Sequence, residues 1–467
     1  MKNDQEEASM QSTYKTLAIL TLACFLLIPS LGSATNGYFL IGYGAKSRSM
    51  GGVGIAYGQD GIAAAANPAA MADVKIDGAM RIDFGAELFN PPRSVKHYSD
   101  TLGNTNEKSG SNVFVIPSMG MIYKFNRKLT MGFAFIGNGA NTRYDQTVPG
   151  LPNCVNGQTE EGVGSYFFNF NCNADSQTVG VNLLQAQMLP SFAYKVNKNH
   201  TIGASLAIGI QTFRAYGLGA FSDLGFAGEG ATKTSGNGND WSYGAGIRLG
   251  WMGKFFDKRL TLGTNYSSRV YMTEFDDYAE LFAEQGDFDI PENFGVGMAF
   301  KLTPKLTIAA DVTRILYSDI ASINNPGPVD PVDLNPLCPG VDEPRCKLGG
   351  DDGMGFGWDD QTVYKIGLNY DYNPEWSFRA GYNYGEGVID DDQVLFNMLA
   401  PATVEHHLTL GFSYRPNKNM EWSVNAMHAF EETVRGPTAF SNREPGEDNA
   451  AISMYINTFG VSFAYMM

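Results

Sequence analysis

The chain has 467 residues, enough for three domains of ordinary size or for one large barrel. Hydrophobic residues make up 43%, which excludes a disordered chain, and charged residues only 18%, against about 25% in an average soluble domain. A net charge of -16 argues against a nucleic-acid partner, whose phosphates call for a basic face.

The first element is an export signal. Leu17 to Ile28 is apolar, Lys15 precedes it, Pro29 breaks it, and Gly32-Ser33-Ala34 supplies small residues for cleavage. Such a run is too short to cross a bilayer, which takes about 20 residues. The expected signal peptide is 1–34. Asp4, Glu6 and Glu7 are out of place in it, so either Met1 or Met10 can be the true start. Cys24 leaves with the signal. The four remaining cysteines fall in two pairs, Cys154 with Cys172 and Cys338 with Cys346, each bracketing a polar segment. In an oxidising compartment local disulfides are the economical expectation, and the absence of nearby histidines weighs against a metal.

Residues 35–77 are rich in glycine and small residues. They include Tyr38-Phe39-Leu40, a stretch at 61–66 suited to a short helix, and Asn67-Pro68-Ala69. A segment of this size cannot fold alone and has to be buried by something larger. From about residue 78 the pattern changes to alternation with period two. Leu306, Ile308, Ala310 and Val312 oppose Thr307, Ala309, Asp311 and Thr313; Leu408, Leu410, Phe412 and Tyr414 oppose His407, Thr409, Gly411 and Ser413. Alternation of this kind makes strands with two unlike faces. Fourteen candidates follow, at 78–89, 113–125, 129–138, 178–195, 201–216, 240–255, 259–271, 291–302, 305–320, 360–371, 376–387, 405–415, 420–434 and 453–467. Short spacers follow the even-numbered strands and long ones the odd-numbered strands, which is the pattern of an outer-membrane barrel. The fold class predicted is therefore all-β: a 14-stranded antiparallel transmembrane β-barrel over 78–467, its N-terminal hatch of residues 35–77 plugging the lumen. Trp251, Trp376, Trp422 and Tyr465, near strand ends, would form interfacial girdles.

The run from Gly42 to Ala72, GYGAKSRSMGGVGIAYGQDGIAAAANPAAMA, resembles the N-terminal hatch of FadL-type transporters, outer-membrane importers of long-chain fatty acids and other hydrophobic compounds. The triplet Asn67, Pro68 and Ala69 is its most family-like part, and the resemblance continues through 291–320 and 372–385. Met467 departs from the Phe or Trp with which such barrels commonly end. The resemblance implies passive import across the outer membrane of a Gram-negative bacterium: capture by loops, binding beside the hatch, and lateral release through a kink in the third strand.

On this reading Phe167, Phe168 and Phe170 belong to an apolar loop that forms the capture groove, with a second such loop at Leu281, Phe282 and Phe288. Tyr38, Phe39 and Leu40 touch ligand or pack on the wall. Gly137, Asn138 and Gly139 bend the third strand or begin the loop after it. Arg379, and with less regular alternation Arg248 and Arg214, face the lumen, where they hold a carboxylate or pair with a lumen acid such as Asp311. Asp351-Asp352 and Asp359-Asp360 lack a calcium-loop spacing, and His406-His407 have no nucleophile beside them. No enzyme, cofactor, metal or nucleic acid is expected. The expected partners are a hydrophobic small molecule, aliphatic or aromatic, with outer-membrane lipid and lipopolysaccharide around a monomer. A hydrophilic channel and an adhesin or receptor barrel are the competing readings.

Overall fold

The two-faced strands close on one another. The computed structural model describes residues 36–97, 105–144, 152–155, 158–161, 178–218, 227, 231–327, 347–438 and 449–467, the backbone alone at 152–155 and 158–161. Fourteen strands make the wall: β1 (Met80–Asn90), β2 (Phe114–Lys124), β3 (Leu129–Asn141), β4 (Gly180–Lys195), β5 (His200–Tyr216), β6 (Asp240–Phe255), β7 (Leu260–Ser267), β8 (Asn293–Lys301), β9 (Leu306–Ile315), β10 (Gln361–Asp371), β11 (Trp376–Gly385), β12 (His406–Asn417), β13 (Met420–Gly436) and β14 (Ala450–Met466). Each pairs antiparallel with the next, and β1 pairs with β14 from Arg81↔Met466 to Asn90↔Asn457, so the sheet closes into a ring. Closure satisfies the backbone without water, as a hydrocarbon surround requires. Above β1, residues 93–97 pair with the start of β14 and with 105–108.

Alternation sorts the side chains as the sequence leads one to expect. Phe84 and Leu88, Val296 and Met298, Leu408 and Leu410 are exposed on the outer surface. Inside, the same strands present small or polar residues, and the small ones leave room for residues 36–74. A Cβ at Gly203 would lie 2.4 Å from the Ala69 amide nitrogen, and one at Gly381 would lie 2.2 Å from that of Gly51. Glycine in these strands therefore trades strand propensity for close approach of a second backbone.

Residues 36–74 touch strands around the ring. The helical turn Ala45–Arg48 packs on β12, β13 and β14; the 3-10 turn Ala63–Ala65 packs on β3 and β4; the 3-10 turn Pro68–Asp73 packs on β3 to β6. The stretch 61–66 thus forms only one tight turn. Gly51 and Gly52, at φ 69° and 87°, reverse the chain where a Cβ on Gly52 would clash with the Ile41 carbonyl.

The ladder between β2 and β3 stops short. β2 pairs with β1 along its length, and β3 pairs with β4 from Leu129 to Asn141. Between β2 and β3, however, pairing runs only from Lys124↔Thr130 to Met119↔Phe135. Continuing that register would put Pro117 opposite Gly137. Proline has no amide to donate, so Pro117 could supply no donor to that side of the ladder, although its other side pairs with Ala86 of β1.

Candidate substrate path

The lumen has two chemically different halves. Toward the long loops, aromatic rings follow one another from the wall to residues 38 and 39. Phe213 of β5 meets Phe282 at 4.5 Å between centroids, Phe282 meets Phe288 at 4.9 Å, and Phe288 meets Tyr38 at 6.2 Å. Tyr38 stacks on Phe39 at 5.0 Å and also meets Trp358 at 6.2 Å and Tyr317 at 5.8 Å. All are buried. Two polar tips are satisfied: the Tyr317 hydroxyl donates to the Asn36 carbonyl at 2.7 Å, and the Trp358 indole to Asn397 at 2.6 Å; the buried Tyr38 hydroxyl has no hydrogen-bond partner among the described residues. A cavity of about 30 Å³ beside Phe213, Phe282, Leu348, Met354, Phe356 and Phe396 has no charged residue in its lining. A second, of about 50 Å³, lies under Phe39, Leu40 and Tyr43 and is faced by Arg248, Asp311 and Lys365.

The loop carrying Phe282 and Phe288 also holds a carboxyl pair, Asp287 and Asp289, in the connection between β7 and β8. Burial and the neighbouring Asp289 raise Asp287 to about 7. Asp289 accepts from the Met272 amide at 2.6 Å and lies 3.6 Å from Arg269.

Toward the short turns the contacts are ionic. Glu421 of β13 receives Lys46, Arg81 and Arg415, and Arg81 also forks onto Asp83 at 2.7 Å through each nitrogen. Arg48 pairs with Glu87. Residues 45–48 are thereby fastened to β1 and β13. Asn67 does the same for the following turn without charge. It is fully buried; its amide donates to the carbonyls of Ile55 at 2.7 Å, Trp251 at 3.2 Å and Thr264 at 3.3 Å, and its oxygen caps the Ala69 amide at 2.9 Å. Pro68 follows at the first helical position, where its missing amide costs nothing.

The structure gathers Tyr38, Phe39 and Leu40 with Phe282 and Phe288, and separates them from most of the arginines. Arg214, expected in the lumen, is instead exposed on the outside of β5, sharing its parity with Ile202 and Leu206 and lying 5.5 Å from the Tyr216 ring. Arg248 does face inward, where it donates to Gln187 at 2.8 Å and to the Ala65 carbonyl. Arg379 faces inward too, near the short turns and away from the aromatic file, donating to Ser413 at 2.7 Å. Asp311 takes neither arginine; it accepts the amides of Gly54 at 2.7 Å and Ile55 at 3.0 Å. Gly137, Asn138 and Gly139 remain in β3, paired with Ala186, Gln185 and Leu184. Trp251, Trp376, Trp422 and Tyr465 all fall at the short-turn end. Asp360 pairs with Arg314 and Asp351 accepts from Gln285. Residues 1–34, Phe167, Phe168, Phe170, Cys172, Cys338, Cys346 and the side chain of Cys154 lie outside the described residues.

Two features escaped the sequence reading although their signals were there. Arg81, Asp83 and Glu87 share the inward parity of β1, a cluster of charges where a lipid-facing strand allows none. Pro117 interrupts an otherwise regular strand.

Comparison with known proteins places this arrangement. Residues 153–448 match the family model of the outer membrane protein transport proteins (OMPP1/FadL/TodX). The chain belongs to this family. Among solved structures, the FadL-family fold recurs in the toluene transporter TodX of Pseudomonas putida, at 18% identity with a TM-score of 0.64 over 93% of this chain and 100% of that one. It recurs in the toluene transporter TbuX of Ralstonia pickettii, at 18% identity and TM-score 0.58 over 92% and 99%. A FadL homologue of Pseudomonas aeruginosa matches at 14% identity and TM-score 0.59 over the same shares. At these identities the likeness is one of fold. An uncharacterized protein from the 5' region of the phosphoenolpyruvate carboxykinase gene of Chlorobium limicola is 35% identical over 107 residues, 23% of this chain. The chain spans about half the length of that curated relative.

Proposed function

We propose that the protein is a passive outer-membrane importer of uncharged hydrophobic molecules, small aromatic hydrocarbons in the first place. The observation that carries this reading is the continuous file of buried rings from Phe213 through Phe282 and Phe288 to Tyr38, with an uncharged cavity beside Phe213 and Phe282 where it begins. Apolar solutes gain about 25 cal/mol for each Å² removed from water, and rings supply that area with edge and face contacts besides. The relatives named as toluene transporters share the fold and lend the substrate class.

Residues 36–74 act in this reading as a hatch that denies the bore to water, so cargo leaves through the wall. The interrupted ladder between β2 and β3, at Pro117 and Gly137, is the place where the wall is least tied together. Flow follows the gradient and the affinities along the path. A second reading, import of fatty acids, draws on Arg248 and Lys365 beside the 50 Å³ cavity, two cations within reach of a carboxylate head.

The test is uptake of labelled toluene and of labelled oleate by Gram-negative cells with and without the protein. The expected result is faster toluene entry, lost in a Phe282→Ala/Phe288→Ala double variant that still reaches the membrane. Acceleration of oleate alone would replace this reading by the second. Acceleration of neither would overturn both.

A further inference from the structure

A cavity of about 660 Å³ opens at the short-turn end, on the far side of residues 56–59 from the aromatic file. That volume is within the usual ~300–1,000 Å³ of small-molecule sites. Eight lysines and arginines line it against four carboxylates, in a chain whose net charge is -16. Three of those carboxylates are already engaged. Glu421 holds Lys46, Arg81 and Arg415; Asp73 holds Lys254 at 2.6 Å; Asp371 accepts from Asn369 and Ser377 and lies 3.9 Å from Lys75.

Arg379 is left over. Its side chain lines the cavity at 8% exposure, one nitrogen donates to Ser413, and its Nε has no partner; among the described residues no carboxylate lies within ion-pair distance of it. A buried guanidinium without an anion is an expensive arrangement, and its fork of donors matches the two oxygens of a carboxylate. We propose that this vestibule is a carboxylate-binding site, with Arg379 as the anchor and Lys46 and Tyr57 on its rim. A bound carboxylate would touch β11 and residues 46–57 together, and so tie the inner segment to the wall from the side opposite the aromatic path. The anion comes either as the head of an amphiphile or as a small soluble acid.

The experiment is calorimetric titration of the full-length protein in a zwitterionic detergent with sodium octanoate and sodium acetate, at constant ionic strength made up with chloride. Saturable carboxylate heat is expected from the wild type. It should fall at least tenfold in affinity in Arg379→Met and persist in Arg214→Met, whose side chain is exposed on the outside of β5. Arg379→Lys keeps the buried charge, and with it the fold, but loses the fork; it should weaken binding and leave heat-modifiable gel mobility unchanged. Octanoate binding well above acetate supports the amphiphile source, and equal binding the soluble one. No saturable heat in the wild type, or the same affinity in a folded Arg379 variant, overturns the proposal. None of these readings depends on uptake, so they stand apart from the fate of the transport proposal.

Discussion

The two halves of the lumen hold the same inner segment by opposite means. Near the long loops, residues 38–40 are surrounded by rings and aliphatic groups, held by contacts without direction. Near the short turns, residues 45–48 and 67 are held by ion pairs and amide hydrogen bonds to β1, β6, β7 and β13. The difference teaches where movement is cheap. Rings can slide past a greasy guest, because one apolar neighbour replaces another at little change in energy. A buried carboxylate shared by three cations has no such substitute, since removing one partner strands charge in a low-dielectric site.

The comparison can be broken hardest at Glu421. Glu421→Gln leaves Lys46, Arg81 and Arg415 facing one another, and should cost about 3–5 kcal/mol. Urea unfolding of the refolded barrel in detergent measures it; a loss under about 1 kcal/mol, no more than an exposed pair is worth, would mean that the ionic half is not what fixes the segment. A smaller change is expected at Asn67. Asn67→Ala removes a cap and the donor to three carbonyls, about 1–3 kcal/mol, while the barrel itself persists. Loosening of the segment should appear as raised ion conductance in planar bilayers at normal protein levels in the membrane. Conductance as low as in the wild type would show that the turn holds its place without this residue.

The smallest effect sharpens the apolar half. Asp287 lies in the loop that carries Phe282 and Phe288, and its carboxyl is raised to about 7 by burial and by Asp289. A raised acid favours the folded loop in full below the ordinary carboxylate range, and that contribution is lost as pH rises through about 7. Hydrogen exchange of residues 273–291 should therefore quicken modestly between pH 5 and pH 8, beyond the intrinsic pH dependence of amide exchange, and Asp287→Asn should flatten that excess. An excess of the opposite sign, or one that survives the substitution, would assign the titration to another group.

How much of this was legible beforehand follows from the range of each signal. Period two is local, so the fourteen strands and the alternation of short and long connections could be read from neighbouring residues. Phe282 and Phe288 could be named as an apolar loop, but not as the link between Phe213 and Tyr38, which lie far apart in the chain. Arg214 shows the limit of parity. Its strand carries Gly203, Ala207 and Gly209 on one face and Ile202 and Leu206 on the other, and only the settled register shows which face an arginine at the strand end shares.

By itself the sequence determined the number of strands, the two faces of each and the need to bury a glycine-rich leader, because these depend on alternation and on composition. Tertiary structure decided which charges meet. Lys46, Arg81, Arg415 and Glu421 come together only because the ring closes and residues 36–74 turn back inside it. It also decided that Arg379 stands apart from the rings and that the ladder opens at Pro117. Those facts depend on register between strands, and register is set by contacts that no local pattern contains.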